Sequence, residues 1–317
     1  MHTVPTTSRT NAIRLTVRNY QKSLAAPWAR RTAQMTDVSA GRSRAGIESV
    51  KVVTVSDGST QPRFDDVVRE EPLQIRIVQA GKTHDIAVTM RTPGNDFELA
   101  AGFLFSEGVV RSPQDIVSIS YCIDDDIERQ QHYNIVNVEL AAGGAPALER
   151  LERHFAIGSA CGICGKAQLE SLQLRVAPIQ SRMTVSSAVL TGLPERLEHQ
   201  QRAFATTGGL HASALFDPAG NLEAIREDVG RHNAMDKLIG FGLLNDRLPY
   251  NDAIVLVSGR SSFEIVQKAA VASVPIVCSV SAPSTLAIEA ARDVQMTLVG
   301  FLRGRRFNVY SGGDRIV

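Results

Sequence analysis

The sequence predicts an α/β protein with a smaller, mainly β subdomain on its amino-terminal side. From about residue 231 onward, helical and strand patterns alternate, and continuously apolar strands such as Ala253–Val257 are typical of a mostly parallel sheet covered on both faces. Between Ile47 and Met90, apolar and polar residues instead alternate one by one, which indicates half-buried strands. With 317 residues, 44% of them hydrophobic, the chain can bury a full core.

The amino-terminal subdomain is predicted to span residues 47–150 and to be β-rich with one helix. Asp57-Gly58 and Gly81 mark turns between strands. Asn95 or Asp96 is placed to cap a helix that ends near Gly108, because such side chains accept hydrogen bonds from a helix's first amides. A further strand is predicted at Tyr133–Leu140.

The α/β domain is predicted to span residues 151–317 and to begin with a cysteine-containing loop. Apolar periodicity and turn residues define its elements. In order, we predict a helix over Lys166–Leu174, a helix over Pro194–Ala205, strands at Gly209–Asp217 and Leu222–Glu227, a helix over Arg231–Leu243, a strand at Ala253–Ser258, a helix over Ser262–Ala272, a strand at Ile276–Val280, a helix over Ser284–Arg292 and a strand at Thr297–Phe301.

Residues 1–46 are predicted to form a flexible basic tail, since Met1–Met35 contains five arginines and no acidic residue. An organellar transit peptide has a similar composition and stays an alternative for this stretch. The formal net charge of +1 gives no argument for nucleic-acid or membrane binding, and no apolar run approaches the roughly 18 to 20 residues that span a bilayer. Four cysteines do not make a disulfide framework, so we expect a cytoplasmic protein.

Cys161 and Cys164 form a C-x-x-C pair flanked by glycines, with Lys166 beside it. Glycines allow a turned, accessible loop, and a neighbouring cation favours the thiolate, so the pattern predicts reactive sulfur. A structural zinc site needs four ligands, and the remaining cysteines, Cys122 and Cys278, are solitary, so we expect no bound metal. A buried pair, a surface disulfide and a thioredoxin-like redox pair stay open as alternatives.

Three segments follow predicted strands and open helices, where α/β sheets bind ligands. They are Ser258–Ser262, Ser279–Ser284 and the charged run Arg226–Lys237. As alternatives to ligand binding, the serines could cap helices and the charged residues could form internal ion pairs. A zinc deaminase is disfavoured because no histidine is followed two positions later by glutamate. Together with a histidine that follows a Gly-Gly pair, the candidate pocket residues are His211, Asp228, Arg231, His232, Arg260 and Ser281.

The sequence resembles the formate dehydrogenase accessory sulfurtransferases, the FdhD family, from about residue 48 to the end. The resemblance rests on six segments in the same order. They are Cys161–Gly165, Thr207–His211, Arg226–Lys237, Val257–Glu264, Val280–Ser284 and Gly300–Gly304.

The resemblance implies a cytoplasmic homodimer whose larger domain has a three-layer, cytidine-deaminase-like fold. It also implies that the protein accepts sulfur from a cysteine desulfurase. The sulfur then passes to the molybdenum or tungsten bis-guanine-dinucleotide cofactor, which serves formate dehydrogenase. By the same match Cys161 carries a persulfide with Cys164 as its partner. The residues implied to contact the cofactor are Phe301, Leu302, Arg303, Gly304, Arg305 and Arg306.

Two other hypotheses remain open. The protein could be a chaperone that delivers the molybdenum cofactor without carrying sulfur, or a thiol-disulfide oxidoreductase that cycles a Cys161–Cys164 bond. The first alternative predicts that Cys161→Ala leaves the client enzyme sulfurated and active. The second requires a partner reductase.

Overall fold

A computed structural model describes residues 46–122, 133–141 and 176–317. The basic tail up to residue 45, the cysteine loop with Cys161 and Cys164, and the predicted helix over Lys166–Leu174 lie outside these residues. The described elements are β1 (Ile47–Ser56), β2 (Ser59–Val68), β3 (Glu71–Gln79), β4 (Lys82–Arg91), α1 (Asp96–Ser106), β5 (Ile116–Tyr121), β6 (Ile135–Leu140), α2 (Ser187–Glu198), α3 (Arg202–Thr207), β7 (His211–Phe216), β8 (Leu222–Asp228), α4 (Arg231–Leu244), β9 (Ile254–Val257), α5 (Phe263–Val271), β10 (Ile276–Ser279), α6 (Thr285–Asp293), β11 (Thr297–Arg303) and β12 (Arg306–Ser311).

The carboxy-terminal half confirms the α/β class, but its sheet is mixed where a mostly parallel one was predicted. The strand order is β12-β11-β10-β9-β7-β8. Only the pairings of β9 with β10 and of β10 with β11 are parallel. The pairings of β7 with β8, of β7 with β9 and of β11 with β12 are antiparallel. β7–β8 and β11–β12 are hairpins with short turns, which cannot join parallel strands. Strand β12 was not predicted.

Helices cover both faces of this six-stranded sheet. On one face, alternate strand residues such as Val255 and Val277 pack with α4, α5 and α6 in one buried cluster. Their neighbours along the strands, such as Leu256 and Cys278, pack with α2 in a second cluster on the other face. Since successive side chains of a strand point to opposite faces, the result is a three-layer arrangement.

The helix predicted to begin at Pro194 instead begins at Ser187 and contains the proline inside it. The Ser186 hydroxyl caps it by accepting a hydrogen bond from the Val189 amide at 3.3 Å. Leu190, Leu193 and Leu197 recur at helical spacing and are at most 2% exposed. Burial of this apolar stripe outweighs the lost hydrogen bond at proline. The predicted carboxy-terminal part forms the separate helix α3.

The amino-terminal strands form two separate sheets. β1 and β2 pair only with each other among the described strands, and the second sheet has the order β4-β3-β6-β5. Helix α1 covers one face of the second sheet, and Leu243 and Leu244 of α4 join the same buried cluster. Edge strand β5 was not predicted. Asn95 lies before α1 as expected, but with φ of 57° and without a side-chain capping bond.

Helices α1 and α4 cross at two glycines. A Cβ atom on Gly102 would collide with the Asp236 carbonyl, and one on Gly240 would collide with the Glu98 carbonyl. The two helix backbones are therefore in direct contact, with no room for even a methyl group. This crossing joins the amino-terminal sheet to the helix layer of the larger one.

We expect Gly102→Ala to destabilise the protein by about 2 kcal/mol, because the added methyl forces the helices apart. Gly192→Ala in α2 is the matched control. Its nearest atom, Arg196 Nε, lies 4.0 Å from the new Cβ, so alanine there gains helix propensity without a clash. Urea unfolding measures both variants. Equal stabilities would contradict the close crossing.

Candidate functional site

Several predicted pocket residues meet at the edge of the large sheet where β8 and β9 end and β7 begins. The Ala212 amide donates to Ser258 Oγ at 2.9 Å, and the Ser258 amide donates to the Ala212 carbonyl at 3.0 Å. A Cβ atom on Gly259 would lie 3.3 Å from His211 Nδ1 and 3.8 Å from Arg231 Cδ. Gly259 thus lets both side chains approach the loop backbone. Gly259 was not predicted as a site residue, although the sequence places it between a predicted strand and a predicted helix.

His211 and Arg231 give this edge its electrostatic character. Burial, reinforced by the positive charge of Arg231 and by His232, lowers the pKa of His211, while Asp228 opposes the shift. The Arg231 Nε atom is buried without a hydrogen-bond partner among the described residues. A buried guanidinium nitrogen of this kind is costly unless an acceptor binds it, so the edge is suited to an anionic ligand.

Replacing Arg231 with methionine should raise the pKa of His211, because the removed cation disfavours the protonated imidazole. Histidine proton shifts measured by NMR over a pH titration report the change. Arg260→Met is the control, since Arg260 is exposed and does not contribute to the shift of His211. An unchanged or lowered pKa in Arg231→Met would contradict the proximity of the two side chains.

His232 lies against the start of α5. Its Nε2 atom is 2.8 Å from Glu264 Oε2 and 3.1 Å from Ser262 Oγ. The hydrogen bond from His232 lowers the pKa of Glu264 despite partial burial of the carboxyl group. Glu264 was not predicted as a site residue, although Ser262 and Glu264 both lie at the start of α5. The pair fixes the imidazole beside the loop after β9.

Asp228 does not line the pocket as predicted, because it is fully buried and its oxygens are occupied. Oδ1 accepts hydrogen bonds from the Gly230 amide at 2.9 Å and from Asn233 Nδ2 at 3.1 Å. Oδ2 accepts one from the Thr92 amide at 3.1 Å and pairs with Lys237 Nζ at 2.6 Å. With 0% exposure, this carboxylate supports the turn and has no surface for a ligand.

Backbone hydrogen bonds tie together the loops after β9 and β10 and the last part of β11. The Ser284 amide donates to the Ser261 carbonyl at 3.1 Å, and the Phe301 amide donates to the Ser281 carbonyl at 3.0 Å. Ser281 is half-buried and Arg260 is exposed beside these contacts. The predicted residues on these two loops and on the last part of β11 therefore lie along one continuous edge.

The segment from residue 301 to residue 306 turns from β11 into β12. Phe301 has φ of 51°, an uncommon conformation for a bulky residue, and Gly304 has φ of 53° in the turn. Leu302 is fully buried in the core, so it is not available for the predicted contact with the cofactor. Arginine side chains dominate the exposed part, namely Arg303, Arg305 and Arg306.

The structure describes two of the four cysteines, and both are buried. Cys278 on β10 is completely buried, and burial raises the pKa of its thiol far above the usual range. Cys122 is also buried, at 2% exposure. Neither presents an accessible thiolate to a partner protein. Cys161 and Cys164 lie outside the described residues.

None of the described helices has both the length and the apolar character needed to cross a membrane. Within the part of the chain that the structure describes, no three His, Cys, Asp or Glu side chains are grouped as ligands of a metal ion.

Comparison with known proteins gives consistent matches over most of the chain. Residues 68–317 match the model of the FdhD/NarQ family. The chain is 48% identical over 272 residues to the sulfur carrier protein FdhD of Streptomyces coelicolor, with 85% of this chain and 95% of that protein covered. The protein of the same name from Saccharolobus solfataricus is 42% identical over 270 residues, with 85% and 98% covered.

A solved structure also resembles this fold. It is a crystal structure described as a formate dehydrogenase accessory protein from Desulfotalea psychrophila. The TM-score is 0.68 at 26% sequence identity, and the match covers 86% of this chain and 100% of that one.

Proposed function

Because this chain belongs to the FdhD/NarQ family, we propose that it is a sulfur carrier that serves formate dehydrogenase. It accepts sulfur from a cysteine desulfurase and passes it to the molybdenum or tungsten bis-guanine-dinucleotide cofactor, which is its substrate. The transfer to the cofactor is supported, among the described residues, by the Nε atom of Arg231, which is buried beside His211 without a hydrogen-bond partner.

The first chemical step is a transfer between thiols. The thiolate of Cys161 attacks the outer sulfur of the donor's cysteine persulfide, and the donor's own thiolate leaves. Cys161 then carries the persulfide until the sulfur reaches the cofactor, with Cys164 as its partner. The burial of Cys122 and Cys278 supports this assignment, because neither could meet a donor protein without local unfolding.

The sheet edge binds the nucleotide ends of the cofactor in this proposal. Arg231 supplies a buried donor to a phosphate oxygen, and His211 in its neutral form offers a hydrogen bond beside it. Arginines on the exposed turn and loop add positive charge suited to further phosphates. They are Arg260, Arg303, Arg305 and Arg306.

Label transfer tests the proposal. The protein is incubated with a cysteine desulfurase and cysteine labelled with ³⁵S, separated from the donor, and then mixed with the desulfurated cofactor. We expect the label to stay on the protein until cofactor is added and to leave with it afterwards. Failure to acquire label would overturn the sulfur-carrier proposal, whereas label that never moves to the cofactor would overturn the assignment of the substrate.

A cofactor chaperone is the second candidate function. It is favoured by the nature of the described site, which offers cationic and hydrogen-bonding groups to an anionic ligand. In that case the protein binds and delivers the cofactor, and the cysteines have no part in sulfur transfer. The label experiment separates the two candidates, because a chaperone acquires no ³⁵S.

We further propose a cytoplasmic homodimer that associates through the β1–β2 hairpin. Phe64, Val53 and Val55 are 63% to 68% exposed, and the strand register puts them on one face of this two-stranded sheet. Isolated two-stranded hairpins are marginally stable, and a second copy could cover this face around a twofold axis.

Replacement of Phe64 by serine should shift the protein from dimer toward monomer in sedimentation equilibrium. Leu286→Ser, on exposed α6, is the control and should leave the dimer intact. A Phe64→Ser variant that remains as dimeric as the unsubstituted protein would exclude this face as the interface.

A further inference from the structure

Thr92, which follows β4 in the amino-terminal part of the chain, directs its amide, its hydroxyl oxygen and its carbonyl to the charged run Arg226–Lys237. Its amide donates to Asp228 Oδ2 at 3.1 Å. Its hydroxyl oxygen accepts from the Val229 amide at 3.1 Å. Its carbonyl accepts from Lys237 Nζ at 2.9 Å. Thr92 is only 7% exposed, so water does not compete for these bonds.

Neighbouring residues of β4 extend the same contact. Asn233 Nδ2 donates to the Met90 carbonyl at 2.7 Å, and Thr89 Oγ1 donates to Asn233 Oδ1 at 3.2 Å. Asn233 also donates to Asp228, which closes the network. The end of β4 and the turn between β8 and α4 are thus held together by buried and partly buried hydrogen bonds that leave the turn little freedom.

The turn held in this way leads directly into the candidate pocket. Val229, whose amide is bound by the Thr92 hydroxyl, lies two residues before Arg231. Gly230 is fixed on Asp228 by its own amide. Because Arg231 begins α4 immediately after these two residues, the direction of its side chain depends on the conformation of the turn.

We propose that Thr92 is a positioning residue for the pocket: its hydroxyl fixes the Val229–Gly230 turn and thereby sets the affinity of Arg231 for the phosphates of a guanine nucleotide. This inference rests on the proposed function for the identity of the ligand. Thr92 itself touches no ligand. It acts from the segment that follows β4, 137 residues away in sequence from Val229.

The experiment compares three variants of the full chain. Thr92→Val keeps the shape of the side chain but removes the acceptor of the Val229 amide, whereas Thr92→Ser keeps that acceptor. Ser106→Ala is the matched control. It removes one buried hydrogen bond, which the Ser106 hydroxyl on α1 donates to Asp236 Oδ1 on α4 at 3.0 Å, away from the turn. Binding of guanosine diphosphate is measured by calorimetry, and amide exchange of the peptide spanning residues 229–232 is measured by mass spectrometry.

We expect Thr92→Val to bind guanosine diphosphate about fivefold more weakly and to exchange faster at residues 229–232. Thr92→Ser should stay within about twofold of the unsubstituted protein. Ser106→Ala should bind normally even though its melting temperature falls about as much as that of Thr92→Val.

Normal binding by Thr92→Val, or equally weak binding by Ser106→Ala, would overturn the inference. Normal binding by Thr92→Val would mean that Thr92 has only a structural role. Weak binding by Ser106→Ala would mean that any loss of stability in the fold weakens nucleotide binding. If the unsubstituted protein does not bind guanosine diphosphate, the proposed nucleotide pocket fails. The exchange measurement then still decides whether Thr92 fixes the turn, since unchanged exchange in Thr92→Val contradicts it.

Discussion

Cys161→Ala is expected to lower formate dehydrogenase activity on the order of a hundredfold or more in cells that depend on this protein. The substitution removes the sulfur that attacks the donor's persulfide. No other thiol in the described part of the chain can replace it, because Cys122 and Cys278 are buried. Activity in cell extracts and the sulfur content of the purified client's metal centre measure the effect.

Cys278→Ala is the control for this experiment. It removes a buried thiol that has no part in the transfer, so activity should stay near that of the unsubstituted protein once comparable amounts of folded protein are present. A Cys161→Ala strain whose client enzyme is fully sulfurated and active would contradict sulfur transfer and would leave the chaperone function standing.

Lys237→Met should destabilise the fold by about 3 to 5 kcal/mol, because it leaves the fully buried carboxylate of Asp228 without its counter-ion. Lys237 Nζ lies 2.6 Å from Asp228 Oδ2, 2.9 Å from the Thr92 carbonyl and 3.4 Å from the Glu227 carbonyl. Urea unfolding gives the free energy of unfolding.

The double variant Asp228→Asn, Lys237→Met provides the decisive comparison. Without a charge on residue 228, methionine at 237 no longer strands a buried carboxylate, so the double variant should recover part of the stability lost by Lys237→Met. If the two single losses simply add, Asp228 and Lys237 are not coupled as their short contact requires.

From residue 209 onward, the sequence predicted most of the α/β elements to within a few residues, whereas the preceding helix α2 begins at Ser187 and not at the predicted Pro194. Strand β10 was predicted at Ile276–Val280 and ends at Ser279, and α4 was predicted to end at Leu243 and ends at Leu244. These elements were predictable because buried strands are continuously apolar and the helices between them have clear starts and stops. Strand β12 was missed because it is an exposed hairpin arm without such an apolar run.

The candidate site was predictable as a set of segments but not residue by residue. Asp228 was expected to face a ligand, yet its partners include Thr92, which is far away in sequence and enters only when the chain folds. Leu302 was implied by its motif, but the alternation of side chains along β11 buries it between half-buried Phe301 and exposed Arg303. Local sequence indicates where a loop lies, whereas burial and partners distant in sequence decide which of its side chains are accessible to a ligand.

The most direct test of the account is the mass of the peptide that contains Cys161 after incubation with a cysteine desulfurase and cysteine. We predict an added mass of about one sulfur atom that is removed by a thiol reductant. Cys164→Ala shows whether Cys161 alone holds the persulfide, and Cys161→Ala shows whether Cys164 can. A peptide that never gains sulfur while the desulfurase is active would contradict the sulfur-carrier function.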